Sequence, residues 1–271
     1  MRILWSVGVL AVLILGLGGA WPSQVVGAEL DCLIEPYLIV NVGSPVEALL
    51  ERVEVDRGDL IRQGQVLARL ESSMERSTVA LARARAVMES GIQSGQVRLE
   101  YSIRKVASNE ELLEQNAISE REVDEAKAQR DLNEIALVEA RENKRLAELE
   151  LERAEAVLAL RTITSPVNGV VMERLLSAME TVKQNPIVKI AQLDPLRVEA
   201  FAPIALLGKI AVGMSAPVMP EAPVGGTFTA KVTVVDRVVD AASGTFGVRL
   251  ELPNPDYRLL AGLKCKVRFP K

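Results

Sequence analysis

Ser44-Pro45-Val46-Glu47-Ala48-Leu49-Leu50 and Ser165-Pro166-Val167-Asn168-Gly169-Val170-Val171 are two versions of one phrase. The match continues at the same offset, where Ile61-Arg62-Gln63-Gly64-Gln65-Val66-Leu67 stands against Val182-Lys183-Gln184-Asn185-Pro186-Ile187-Val188. Between the copies, from about Ser72 to Leu160, runs proline-free sequence rich in helix formers. The reading is a small duplicated β-unit split by a helical hairpin, an architecture for reaching and docking rather than for catalysis. Each copy alternates short apolar runs with turn chemistry at Gly58, Gly64 and Asn185-Pro186. Val53 to Asp59 reads as a strand entering a turn, and Val66 to Leu70 as a second strand. Met179 replaces Gly58 in the second copy, so that turn is expected to differ.

Composition narrows the function. The chain has 271 residues, of which 49% are hydrophobic but only 3% aromatic, so its cores must be built from Val, Leu, Ile and Ala. That favours coiled helices and small β-folds over an aromatic-lined ligand pocket. Histidine is absent, which removes the commonest general base and the commonest neutral metal ligand. No nucleophile elbow or phosphate-binding loop appears, so neither enzyme activity, nor cofactor, nor metal is expected. A net charge of −4 with interspersed signs offers no basic face, and no nucleic acid partner is expected.

The N-terminus reads as an export signal. Met1-Arg2 is followed by an apolar run from Ile3 to Leu17, then Trp21-Pro22 and the small-residue site Val26-Gly27-Ala28. Cleavage after Ala28 is expected, with an uncleaved membrane anchor as the alternative. Either route places the body in an oxidising compartment outside the cytoplasm. Two readings of Cys32 and Cys265 stand open: a disulfide joining the start and end of the mature chain, or two buried thiols acting as small hydrophobes.

Within the insertion, Ile92, Leu99, Val106 and Leu113 recur every seven residues with Ile103 between them, a narrow coiled-coil seam. Gly91 and Gly95 mark either a bend or a close contact. At the turn, Asn116 accepts a left-handed backbone, Ser119 and Glu122 form a capping box, and Ile118 with Val123 form a hydrophobic staple. Arms of some 40 residues would each extend about 60 Å. Along the second arm Glu139, Glu142 and Glu148 alternate with Arg141, Lys144 and Arg145, reading as a salt-bridged exterior. From about Val198 a separate β-domain begins, with Phe228, Ala230, Val232 and Val234, and then Phe246, Val248, Leu250 and Leu252, on inward faces. Cys265 shares a face with Leu263, Val267 and Phe269, and Asn254-Pro255-Asp256 reads as a turn of the same domain.

Taken in order, these parts resemble the periplasmic adaptor subunits, or membrane fusion proteins, of the HlyD and resistance-nodulation-division efflux type. The resemblance covers nearly the whole mature chain, through SPVEALLERVEVDRGDLIRQGQVLARLE, ITSPVNGVV and TFGVRLELPNPDYRLLAGLKCKVRF. It implies an elongated, multidomain α+β fold: a split lipoyl-like β-sandwich, an inserted antiparallel α-helical coiled-coil hairpin, then a small β-barrel. The expected boundaries are 1–28 for the signal, 29–71 with 161–196 for the split domain, 72–160 for the hairpin and 197–271 for the barrel, residues 29–40 being a candidate contribution to the barrel.

The resemblance implies a bridge between an inner-membrane transporter, often of the resistance-nodulation-division class, and an outer-membrane channel of the TolC type, assembled as a hexameric ring. The family's tip carries an arginine, a leucine and a serine. Here the leucine falls on Leu112 and the serine on Ser119, while Ser108 takes the arginine's place, with Arg104 and Lys105 one turn earlier. The candidate partner-binding residues are therefore Ser108, Leu112, Asn116, Ile118, Ser119 and Glu122. A further membrane-proximal domain common in efflux adaptors has no room before Lys271, so transporter contact is expected through the barrel. Two other readings stand beside this one. A lipoyl or biotinyl carrier would need a lysine on the turn that the hairpin occupies. An envelope spacer or substrate-binding accessory protein would have no channel contact.

Overall fold

The computed structural model describes residues 28–269, and the N-terminal segment read as an export signal lies outside them. In chain order come β1 (Ala28–Val42), β2 (Ala48–Val53), β3 (Leu60–Ile61), β4 (Val66–Leu70), α1 (Ser73–Ala86), α2 (Ser90–Glu114) and α3 (Glu120–Ala159). Then follow β5 (Thr162–Thr164), β6 (Gly169–Arg174), β7 (Thr181–Val182), β8 (Val188–Pro203), β9 (Ser215–Pro220), β10 (Phe228–Asp240), β11 (Thr245–Leu252) and β12 (Lys264–Phe269). The fold is mixed α+β and divides into two compact units. One comprises residues 35–197 and 253–262; the other comprises 28–34, 198–252 and 263–269. Among the described residues no helix is long and apolar enough to cross a membrane.

In the first unit the duplicated phrase becomes a duplicated structure. Strands β2, β3 and β4 correspond to β6, β7 and the start of β8, and each half lends a strand to the other. Ala48 pairs with Val182 and Leu49 with Thr181, while Ile61 pairs with Gly169 and Leu60 with Val170. Both copies break register at the same place, between Leu50 and Arg52 and between Val171 and Glu173. Even the opening turns agree: the hydroxyls of Ser44 and Ser165 donate to the carbonyls of Val46 and Val167 at 2.5 and 2.6 Å. Leu50, Ile61, Leu67, Val171, Val182 and Val188 fill the shared core. The copies diverge where packing tightens: a Cβ on Gly169 would lie 2.2 Å from the Ala191 carbonyl oxygen, so this position cannot carry the alanine found at 48.

Two expectations for this unit are corrected. The first strand lies over Ala48–Val53 rather than starting at Val53, because Leu50 is the residue that enters the core. The Met179 turn does not differ from its counterpart. Gly58 has φ of 95° and Met179 has φ of 70°, both left-handed. Their amides donate to Val171 and Leu50 across the halves, at 2.9 and 2.8 Å. Those cross-half bonds impose one turn on both copies, and Met179 accepts a backbone that L-residues disfavour.

The insertion is an antiparallel helical hairpin with a strict 3-4 seam. On α3 the inward positions run Val123, Ala126, Arg130, Asn133, Leu137, Ala140, Lys144, Ala147, Leu151, Ala154 and Leu158. The first arm is not one rod. It breaks at 87–89, and the buried series Val79, Ala82, Ala86 restarts as Ile92, Gly95, Leu99, Ser102, Val106 one residue out of phase. A heptad frame cannot continue through such a step, so the helix interrupts there. Ile103 does not enter the seam: it is 50% exposed, and Ser102, four before Val106, takes the inward place. Gly95 is the close contact, since an added Cβ would meet Leu137 Cδ1 at 3.2 Å. Lys144 also departs from its reading as exterior, turning from a seam position to Glu89 beside the break.

The second unit is a β-barrel. Its strands follow the order β1-β12-β9-β10-β11-β8, and a direct β8–β1 pairing returns the circuit to its start. Phe246, Val248, Leu250 and Leu252 alternate inward as their period dictates. Val234 does not, because a bulge between Val232 and Val234 turns it outward to solvent. Cys32 and Cys265 face each other in the β1–β12 register and form a disulfide. Residues 253–262, read as part of this domain, group instead with the first unit. Asn254 explains why: its side-chain amide donates to Leu193 and Leu259 at 3.1 and 3.0 Å, and its own amide donates to Asp194 at 2.9 Å.

Candidate partner interface at the hairpin tip

The hairpin turn is built by local backbone chemistry. Asn116 has φ of 57°, its amide donates to Leu113 at 2.8 Å, and the Ala117 amide donates to Leu112 at 2.9 Å. These two bonds are a Schellman motif and satisfy the last carbonyls of α2. Three residues later Ser119 caps α3. The Glu122 carboxylate accepts the Ser119 amide at 2.8 Å and the Ser119 hydroxyl at 3.0 Å. The amide bond first, and then the hydroxyl, hold the Glu122 carboxyl below its ordinary range. Val123 is buried and Ile118 half-buried beneath the turn. Lys127 pairs with Glu110 at 2.8 Å across the arms just below.

All six candidate residues gather at this end of the rod, but they do different work. Glu122 and Ser119 are engaged with each other, and Asn116 holds the left-handed turn. Ser108 is exposed, and Leu112 is 37% exposed on the last turns of α2. Leu112 is thus an apolar side chain held out on a rigid end, which is what a docking contact requires. Arg104 and Lys105 are exposed one turn nearer the body. Among the described residues neither makes an ion pair, and no group of His, Cys, Asp or Glu is placed to hold a metal.

Sequence reasoning missed two features of the rod. One is the Lys144–Glu89 bond across the helix break, whose signal was a lysine at a heptad seam position. In this bond the Glu89 carboxyl is lowered and the Lys144 ammonium raised, each chiefly by their shared hydrogen bond. The other is a set of exposed apolar residues along the outside of the arms, including Tyr101, Leu132, Ile135, Leu146 and Leu149. Their signal was a second 3-4 repeat on α3, in a different phase from the seam.

Comparison with known proteins agrees with this architecture. Residues 38–192 match the CzcB-like barrel-sandwich hybrid domain, and residues 196–271 match the CusB-like β-barrel domain. Among curated relatives, the efflux pump periplasmic linker BepD of Brucella suis is 25% identical over 86% of this chain and 60% of its own length. Multidrug resistance protein MdtE of Escherichia coli O6:H1 is 26% identical over 87% of this chain and 62% of its own length. An uncharacterized protein of Haemophilus influenzae is 25% identical over 88% of this chain and 56% of that protein. The chain thus spans less than two thirds of these relatives. Among solved structures, MacA of Actinobacillus actinomycetemcomitans superposes with a TM-score of 0.73 at 21% identity, covering 89% of this chain and 78% of MacA, a likeness of fold. With the duplicated body, the inserted hairpin and the barrel all in place, the chain belongs to the CzcB-like barrel-sandwich hybrid family of membrane fusion proteins.

Proposed function

We propose that this chain is the periplasmic adaptor of a tripartite efflux system, associated with the inner membrane and non-enzymatic. It bridges an inner-membrane transporter, of the resistance-nodulation-division type, to an outer-membrane channel of the TolC type. Its copies assemble as a hexameric ring. The reading is carried by the hairpin: a 40-residue α3, some 60 Å long, projects a capped turn bearing Leu112 away from the split body. Relatives named as an efflux pump periplasmic linker and a multidrug resistance protein support it. The barrel is the surface proposed to meet the transporter. Ser108, at the place of the family's tip arginine, leaves cationic contact with the channel to Arg104 and Lys105.

Leu112→Asp is the test, read as drug efflux in cells that depend on this adaptor. The expected result is lost efflux with an unchanged far-ultraviolet spectrum and thermal transition. Retained efflux would reduce the chain to an envelope spacer or accessory protein without channel contact.

A further inference from the structure

Large apolar side chains that the barrel leaves exposed gather at one of its ends. The strands alternate in direction around the circuit, β1 against β12, β12 against β9, β9 against β10 and β10 against β11. At this end β1 and β9 therefore begin, β12 finishes and β10 turns into β11. The end of β8 comes to the same place, since the Ile204 amide donates to the Gly244 carbonyl beside the β10–β11 turn at 3.1 Å. Phe201 and Ile204 at the end of β8, Leu207 and Val212 in the link to β9, and Val238 on β10 are all more than half exposed there. At the opposite end, the β9–β10 connection shows only Val224, at 37%, among the described residues.

The β10–β11 hairpin is shaped to present this cluster. Between Val235 and Val239 its ladder slips, so that the stretch of β10 is longer than the Phe246–Val248 stretch it faces, and the bulge leaves Val238 81% exposed. The carboxylates nearby are drawn back onto the protein. Asp240 accepts the Ala242 amide and the Ser243 hydroxyl, each at 2.9 Å, and these bonds hold its carboxyl below the ordinary range. Asp236 lies over Gly247, where no Cβ stands in its way. The cations are not drawn back: Lys209 and Arg237 are exposed, and among the described residues neither makes an ion pair.

An apolar cluster with unpaired cations beside it fits an anionic lipid surface, where apolar side chains enter the interface and the cations meet phosphates. The course of the chain brings such a surface to this end. Ala28 opens β1 here, so the preceding residues, with the apolar run from Ile3 to Leu17, lead away from this end of the barrel. The linking stretch from Gly18 to Gly27 spans at most about 35 Å when fully extended. With the apolar run in a bilayer, this end is held within that reach of the lipid. We infer that this end of the barrel rests on the inner membrane itself, with Phe201, Ile204, Leu207, Val212 and Val238 in the lipid interface and Lys209 and Arg237 on lipid phosphates. A tether limits distance alone, whereas the cluster fixes which end of the barrel faces the bilayer. The inference rests on the inner-membrane association proposed above and is independent of the channel and the ring.

The test is site-directed fluorescence of the full chain on vesicles of phosphatidylethanolamine and phosphatidylglycerol. Cys32 and Cys265 are bonded to each other, so an introduced cysteine is the sole thiol for a polarity-sensitive label. Labels at Val238→Cys and Phe201→Cys should report an apolar setting about 5–10 Å deep, quenched by spin-labelled lipid, while Val224→Cys stays in water. Labels at all three positions in water, on vesicles that hold the chain, would overturn this contact and leave membrane association standing. Shielding that appears only on native inner-membrane vesicles would also overturn it, and would name a membrane protein as the occupant. A chain that binds neither kind of membrane would remove both the contact and the association.

Discussion

Exchanging Met179 and Gly58 tests whether one turn geometry is imposed on both halves of the duplicated body. Met179 sits at φ of 70° with its side chain 73% exposed, so Met179→Gly forfeits almost no burial. Relieving a left-handed L-residue returns about 1–2 kcal/mol. The added freedom of glycine in the unfolded chain takes back roughly 0.5–1 kcal/mol. The net is a stabilisation of about 0.5–1 kcal/mol, or some 2–4 °C for each kcal/mol in a unit of this size. Gly58→Met should do the opposite by a similar amount, because an added Cβ there meets nothing within 4 Å and only the backbone resists it. Differential scanning calorimetry of each variant and of the double exchange gives the answer. The double exchange should return close to the parent transition. If Met179→Gly lowered the transition temperature, the turn would not be held by the Leu50 and Val171 carbonyls, and the account of the matched halves would fail.

Other expectations follow from the hairpin and the barrel. Gly95→Leu forces bulk against Leu137 and should destabilise the hairpin by about 1–3 kcal/mol, read as lost helicity on heating. Replacing Cys32 and Cys265 together by alanine removes a link between residues 233 apart in sequence and should cost about 2–5 kcal/mol of barrel stability, with reductant reproducing the loss in the parent. The Glu89–Lys144 bond carries its own pH signature. The Glu89 carboxyl is lowered from 4.5, so its contribution is complete above that value and is lost as pH falls through the depressed one. The Lys144 ammonium is raised from 10.5, so its contribution is complete below that value and is lost as pH climbs through the elevated one. Backbone chemical shifts at Met88 to Ile92 should therefore stay flat from about pH 5 to 10 and move outside that window. Lys144→Met should abolish the high-pH movement and raise the low-pH one toward the ordinary carboxylate value.

Much of the architecture was legible because it is written locally or by repetition. The paired SPV phrases announced two β-halves, and the proline-free stretch between them announced helices. Ser119, Glu122 and Asn116 announced the turn, since caps and left-handed ends depend on a handful of adjacent residues. The tip candidates came together at one end for the same reason, lying close in sequence on either side of a short turn. Barrel strands with clean alternation, such as Phe246 to Leu252, were equally plain.

Tertiary structure decided what depends on distant partners. Ser102 rather than Ile103 faces inward because the seam's phase is set by the height and separation of α3, where small residues let the arms approach. Lys144 turns inward because Glu89 waits at a break in the other arm. Met179 takes a glycine's conformation because Leu50, in the other half, accepts its amide hydrogen. Asn254 draws its loop to Leu193 and Asp194, some 60 residues earlier in the chain. In each case the deciding force is a hydrogen bond or a packing contact made across long sequence separation, which outweighs the local preference of the residue that yields to it.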